Sequence, residues 1–141
     1  MKRHLLVSVF LIVFCAKGFG QEANSQNSPC AAFPCVVASV SLVNQTESVD
    51  RVPIYTPPTT GYFRVSYFED NGQLGFGNWT FTWQWTDDQK TEIFGPFQLR
   101  PGEYFNAGIP GMRVLAGHPI TYTVTGSGGS YNLFATVEQL Q

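Results

Sequence analysis

Large aromatic residues alternate with small polar residues along the stretch 79–86. Every odd position from 79 to 85 is Trp or Phe, and every even position from 80 to 86 is Thr or Gln. Successive side chains of an extended strand point to opposite faces, so this stretch is predicted to be a strand with one aromatic and one polar face. The aromatic face is the largest apolar surface in the chain, at roughly 150–250 Å² per ring.

The same alternation recurs in shorter segments that are separated by turn residues. It predicts further strands over residues 36–43, 52–56, 61–69, 91–99, 111–115, 119–125 and 131–140. The strands 111–115 and 119–125 are expected to form a hairpin around Ala116-Gly117-His118. Short strands at regular spacing are typical of antiparallel sandwiches. The predicted fold is therefore an all-β, antiparallel jelly-roll sandwich of about eight to nine strands.

The first 20 residues have the pattern of a signal peptide. Three basic residues at positions 2–4 precede an apolar run, 5–16, and Gly18-Phe19-Gly20 places small residues at the cleavage positions. We expect cleavage before Gln21. The apolar run is shorter than the roughly 20 residues of a membrane span, and no second run follows. We therefore predict a secreted protein, periplasmic or extracellular, without a membrane span.

Residues 21–35 are expected to be a polar, disordered leader that ends in a small cysteine loop. Cys30 and Cys35 are the two cysteines that remain after removal of the signal peptide. In an exported protein such a pair favours an intrachain disulfide, while a cross-link to a neighbouring chain and free thiols are the alternatives. Residues 36–141 then form the jelly-roll domain.

Net charge argues against nucleic acid as a partner. The formal charge is −2, and removal of Lys2, Arg3 and Lys17 with the signal peptide takes it to −2 − 3 = −5. Binding to phosphates requires a basic patch, which this acidic chain lacks.

The sequence offers no set of catalytic residues. The predicted mature chain has one histidine, His118, in a turn, and it has no Gly-x-Ser-x-Gly motif. The carboxylate pairs 69–70 and 87–88 adjoin turn residues, where a solvated turn former is expected and a weak calcium site is the alternative. We predict a protein that is not an enzyme, with no cofactor and no metal site.

The aromatic face of residues 79–85 has three interpretations. Its rings pack into the core, form a subunit interface, or offer a platform on which sugar rings stack. In the platform interpretation the ligand-binding residues are Trp79, Trp83, Trp85 and Tyr62, with Tyr104 and Tyr122 as further candidates.

Two short motifs point to a family. Residues 55–65, Tyr-Thr-Pro-Pro-Thr-Thr-Gly-Tyr-Phe-Arg-Val, resemble the "apolar, polar, Pro, x, x, Gly, x, aromatic, x, apolar" signature of complement-head and tumour-necrosis-factor-like jelly rolls. Residues 114–122 are similar to the turn into a late strand of those domains, and 131–140 to their closing strand. Together with this C-terminal pattern, the sequence Trp-Thr-Asp-Asp at residues 85–88 also resembles small bacterial and phage-associated proteins of unknown role. The resemblance implies a compact homotrimer that binds other molecules and carries no active site.

The sequence thus leads us to expect a secreted, non-catalytic binding or structural module, homotrimeric by resemblance, with a carbohydrate or protein ligand. The alternatives are a carbohydrate-binding module that uses the Trp79, Trp83 and Trp85 face, and a phage- or appendage-type structural subunit.

Overall fold

The computed structural model describes residues 23–25, 30–72 and 77–141. These residues form strands and connecting segments, and no helix occurs among them. The nine strands are β1 (Ala23–Ser25), β2 (Cys35–Gln45), β3 (Val49–Tyr55), β4 (Gly61–Asn71), β5 (Asn78–Thr86), β6 (Thr91–Leu99), β7 (Tyr104–Val114), β8 (Ile120–Ser127) and β9 (Tyr131–Gln139).

The strands form two antiparallel sheets. The five-stranded sheet has the order β1-β2-β9-β4-β7, and the four-stranded sheet has the order β3-β8-β5-β6. From β2 to β9 the chain crosses between the sheets at every connection except the one from β5 to β6. The orders 2-9-4-7 and 3-8-5-6 are those of an eight-stranded jelly roll, so the predicted fold class is confirmed. β1 is the fifth strand of the larger sheet and lies at its edge beside β2, outside the jelly-roll order.

Alternation along the strands builds the core between the two sheets. On β4, the side chains of Phe63, Val65 and Tyr67 are buried, while those of Tyr62 and Arg64 are exposed. The strands turn most of their large apolar positions toward the opposite sheet, because a period of two places alternate residues on one face. Burial of this apolar surface is the main stabilising contribution.

The hairpin predicted for residues 111–115 and 119–125 is wrong. β7 pairs with β4 in one sheet, whereas β8 pairs with β3 and β5 in the other. The connection between them crosses the end of the sandwich, where Leu115 N donates to Thr86 O and Gly117 N donates to Pro57 O. β7 also begins at Tyr104. The sequence did not predict this part of β7, because its Gly-Ile-Pro-Gly segment contains residues that are uncommon in strands. Proline is tolerated there because β7 is an edge strand.

The N-terminal predictions are tested only in part. The signal peptide and its cleavage site lie outside the described residues. Within the predicted leader, Ala23 to Ser25 form β1 and pair with Val40 to Ala38 of β2. Polar residues suit such an edge strand, whose backbone provides the pairing.

Candidate functional site

The tryptophan strand β5 turns its large rings into the core. Trp79 and Trp83 are 0% and 1% exposed, and Phe81 between them is equally buried. Trp79 packs against Tyr131 with ring centroids 4.7 Å apart, and Trp83 packs against Tyr67 at 5.3 Å. The core interpretation is therefore correct for these rings. Their burial contradicts the assignment of Trp79 and Trp83 as ligand-binding residues, because neither ring has a face that a ligand can reach.

The other two predicted ligand-binding residues do not share a site. Trp85 is half-buried at the end of β5, in the four-stranded sheet. Tyr62 is 40% exposed on β4, in the five-stranded sheet. Tyr122 is buried, whereas Tyr104 is 70% exposed. The structure thus distributes the predicted aromatic platform over the core and two separate surfaces.

A different aromatic surface lies on the outer face of the five-stranded sheet. We call Phe68, Tyr104 and Phe134 the outer aromatic patch. Phe68 stacks on Tyr104 with centroids 6.0 Å apart and contacts Phe134 at 6.2 Å. The register produces this cluster, because Phe68 lies directly opposite Phe134 of β9 and Tyr104 lies diagonally across on β7. Phe134 is 40% exposed, so apolar ring surface faces solvent.

Small hydroxyl side chains extend the outer aromatic patch across the sheet. A shallow groove of about 400 Å³ runs beside the patch, and its lining includes Ser39, Ser41, Ser66 and Thr136. The charged side chains lie toward the ends of this face. Arg64 pairs with Glu138 at one end, and Asp70 accepts a hydrogen bond of 3.1 Å from Asn132 at the other. The centre of the face is therefore uncharged, flat and partly aromatic.

A buried carboxyl lies behind the outer aromatic patch. Glu69 is 0% exposed, and its Oε1 accepts a hydrogen bond of 3.1 Å from Trp83 Nε1. Its Oε2 has no partner within the described residues. Burial raises the pKa of Glu69 to about 8, although the bond from Trp83 opposes the shift. Burial, and then the charge of Glu69, also raise the pKa of Tyr67. Glu69 is therefore neutral at pH 7 and sealed from solvent.

The groups weighed for catalysis or calcium binding are dispersed. Glu69 points into the core while Asp70 points outward, so this pair does not form one site. Asp87 Oδ1 accepts backbone hydrogen bonds from Gln89 and Lys90, which lower the pKa of Asp87. Asp88 pairs with Arg113.

His118 is exposed in the connection between β7 and β8. Across residues 23–25, 30–72 and 77–141, no three His, Cys, Asp or Glu side chains are placed to share a metal ion.

The predicted cysteine loop is present. Cys30 and Cys35 form an intrachain disulfide with a Cα–Cα distance of 6.0 Å, within the usual range. The bridge lies at the start of β2 and packs against the core.

Sequence reasoning missed the outer aromatic patch as a surface. One signal was available: Phe134 is an aromatic residue between Asn132 and Thr136, on the polar side of β9. A single exposed aromatic side chain is common on protein surfaces, so Phe134 alone does not reveal the patch; only its contact with Phe68 and Tyr104 does.

Comparison of the sequence with protein-family models finds no matching family, and comparison with curated proteins finds no significant match. Within the part of the chain that the structure describes, no helix is long and apolar enough to cross a membrane.

Proposed function

We propose that this chain is an exported, non-catalytic module that assembles as a homotrimer through the outer face of its five-stranded sheet. One observation carries the proposal: the outer aromatic patch lies in solvent on an uncharged sheet face, with Tyr104 70% exposed. Exposed aromatic surface is unfavourable in water by about 25 cal/mol per Å², and a second copy of the chain would remove it.

The composition of this face resembles that of protein–protein interfaces. Such interfaces are enriched in Tyr and Phe and depleted in charged residues at their centre, with a polar rim. Here Phe68 and Phe134 lie beside Ser and Thr hydroxyls, and the Arg64–Glu138 ion pair lies at the rim. In a cyclic trimer each interface joins two different patches, so this sheet face would pack against another surface of the neighbouring copy.

The trimeric state rests on the resemblance to complement-head and tumour-necrosis-factor-like jelly rolls. The motif residues 55–65 open β4, as that resemblance implies, and the observed jelly-roll strand order supports it. The Cys30–Cys35 disulfide supports export, because disulfides persist in oxidising compartments. The dispersal of His118 and the carboxylates supports a role without catalysis.

Light scattering on the exported protein and two matched variants tests this function. Phe134→Asp places a charge in the outer aromatic patch and is expected to yield monomers. Ile93→Asp places the same charge on the outer face of the other sheet, where Ile93 is 62% exposed, and is expected to leave the trimer intact. Equal masses for the two variants would contradict the proposed interface. Fibres or large particles would contradict a closed trimer and favour the appendage-type subunit.

A further inference from the structure

A β-bulge at Arg51 interrupts the edge strand β3. Regular pairing with β8 shifts between Val49 and Val52, so Asp50 and Arg51 are displaced from the ladder. Arg51 has a φ of 46°, in the left-handed region. This conformation costs a residue other than glycine roughly 1–2 kcal/mol. Bulges redirect side chains, and strained residues that persist are concentrated at binding sites.

Three hydrogen bonds hold the displaced residues in place. Arg51 N donates to Thr123 Oγ1 at 3.0 Å, and Thr123 Oγ1 donates to Asp50 Oδ1 at 3.2 Å. Arg51 Nε donates to Asp50 Oδ2 at 3.3 Å, which closes the ring. These bonds hold the backbone and the Nε atom of Arg51 in place. None of the three involves the two terminal amino groups of its guanidinium.

Arg51 forms part of a cleft at the end of the four-stranded sheet, where residues of the outer face meet Trp85, which packs against the core. The cleft has a volume of about 320 Å³ and is lined by Arg51, Gln84, Trp85, Thr86, Pro119 and Thr121. Gln84 and Thr121 are directly opposite each other on β5 and β8. The volume is at the lower end for small-molecule sites, and a few polar groups converge on it, as such sites require.

We propose that this cleft binds a sugar ring that carries a carboxylate, the class represented by uronic acids. The planar guanidinium of Arg51 matches a carboxylate with two parallel donors. The side-chain amide of Gln84 can donate to and accept from the ring hydroxyls, and Thr121 Oγ1, which donates to Gln84 O, can accept from them. Pro119 and the part of the half-buried Trp85 that lines the cleft supply apolar surface for the C–H face of a sugar.

The alternatives account for less of the cleft. An inorganic anion would engage Arg51 but leave Gln84 and Trp85 without a role. A neutral sugar would offer no carboxylate to the terminal amino groups of Arg51, whose Nε is already paired with Asp50. The proposal does not depend on trimer formation, because the cleft and the outer aromatic patch lie on different sheets.

The experiment is a titration of the exported protein with D-galacturonate, D-galactose and inorganic sulfate, each up to about 20 mM, followed by NMR and tryptophan fluorescence. Galacturonate is expected to shift the resonances of Trp85 and Thr121 and to bind at least about fivefold more tightly than galactose or sulfate, because only it satisfies both halves of the cleft. No shift with galacturonate, or equal binding of galactose, would overturn the proposal. Equally tight binding of sulfate would overturn the assignment to a sugar.

Two pairs of variants test the charge of Arg51 and its positioning by Thr123 separately. Arg51→Gln should weaken galacturonate binding by about tenfold or more, whereas Arg100→Gln, which removes an exposed cation elsewhere, should not. Thr123→Val breaks the hydrogen-bond ring without changing the lining, and it should weaken binding by about threefold while Thr125→Val has no effect. Circular dichroism confirms that each variant is folded. Unchanged binding in folded Arg51→Gln would overturn the proposal.

Discussion

The indole Nε1 of Trp83 on β5 donates a hydrogen bond of 3.1 Å to the carboxyl Oε1 of Glu69 on β4. The two strands belong to different sheets, so this bond crosses the core of the sandwich. It partly offsets the cost of burying a carboxyl group, which is several kcal/mol when the group is unpaired and charged. Glu69 adjoins Phe68 in sequence, so the polar core contact lies directly behind the outer aromatic patch.

Burial of Glu69 predicts that stability falls as the pH rises. The pKa is raised from 4.5 to about 8 in the folded protein, so the folded state binds the proton more tightly than the unfolded state. The free energy of unfolding is therefore highest below about pH 4.5. It falls by about 1.4 kcal/mol per pH unit between there and about pH 8, as the unfolded state releases the proton that the folded state still holds. Urea unfolding at pH 5, 6, 7 and 8 measures this slope.

Glu69→Gln is expected to flatten this pH dependence and to be more stable than the wild type at pH 8, because a neutral amide keeps an acceptor for Trp83. Glu92→Gln, at a partly exposed position, is the control and should keep the wild-type slope. If Glu69→Gln kept that slope as well, another group would have to carry the titration.

The two buried tryptophans on β5 differ in hydrogen bonding. Trp83→Phe removes the donor to Glu69 and is expected to cost about 1–3 kcal/mol more than Trp79→Phe, since Trp79 Nε1 has no partner within the described residues. Both substitutions remove similar ring volume, so the difference combines loss of the Trp83–Glu69 hydrogen bond with relief of the unpaired N–H of Trp79. Denaturant midpoints of the two variants provide the comparison, and an equal loss would show that the bond is energetically neutral.

The disulfide is expected to stabilise the fold modestly. Its closed loop spans Cys30 to Cys35, and a loop this short restricts the unfolded chain by about 2 kcal/mol. The double variant Cys30→Ser, Cys35→Ser should therefore remain folded, with a lower thermal midpoint that equals that of the reduced wild type. A covalent dimer of the wild-type protein on a non-reducing gel would contradict the intrachain bridge.

The sequence predicted which residues of β5 share a face because a period of two fixes this, but it left open whether that face is core, subunit interface or ligand platform. The same parity places Glu69 in line with Phe63, Val65 and Tyr67, but a charged residue near a turn is usually solvated, so its burial was not predicted. The compensating donor, Trp83, becomes visible only when the two sheets are packed.

The surfaces were less predictable because they depend on register and backbone distortion. Phe68 and Phe134 are far apart in the chain, and their contact follows from the pairing of β4 with β9. The placement of Arg51 follows from a bulge that no residue pattern indicates. Local alternation therefore predicts the interior of this fold better than its surfaces.

The most direct test of the central claim is the mass of the protein in solution. Sedimentation equilibrium over a range of micromolar concentrations should give three times the chain mass, because three copies would cover the outer aromatic patch formed by Phe68, Tyr104 and Phe134. A mass of one chain at every concentration would contradict the assignment of that face as a subunit interface.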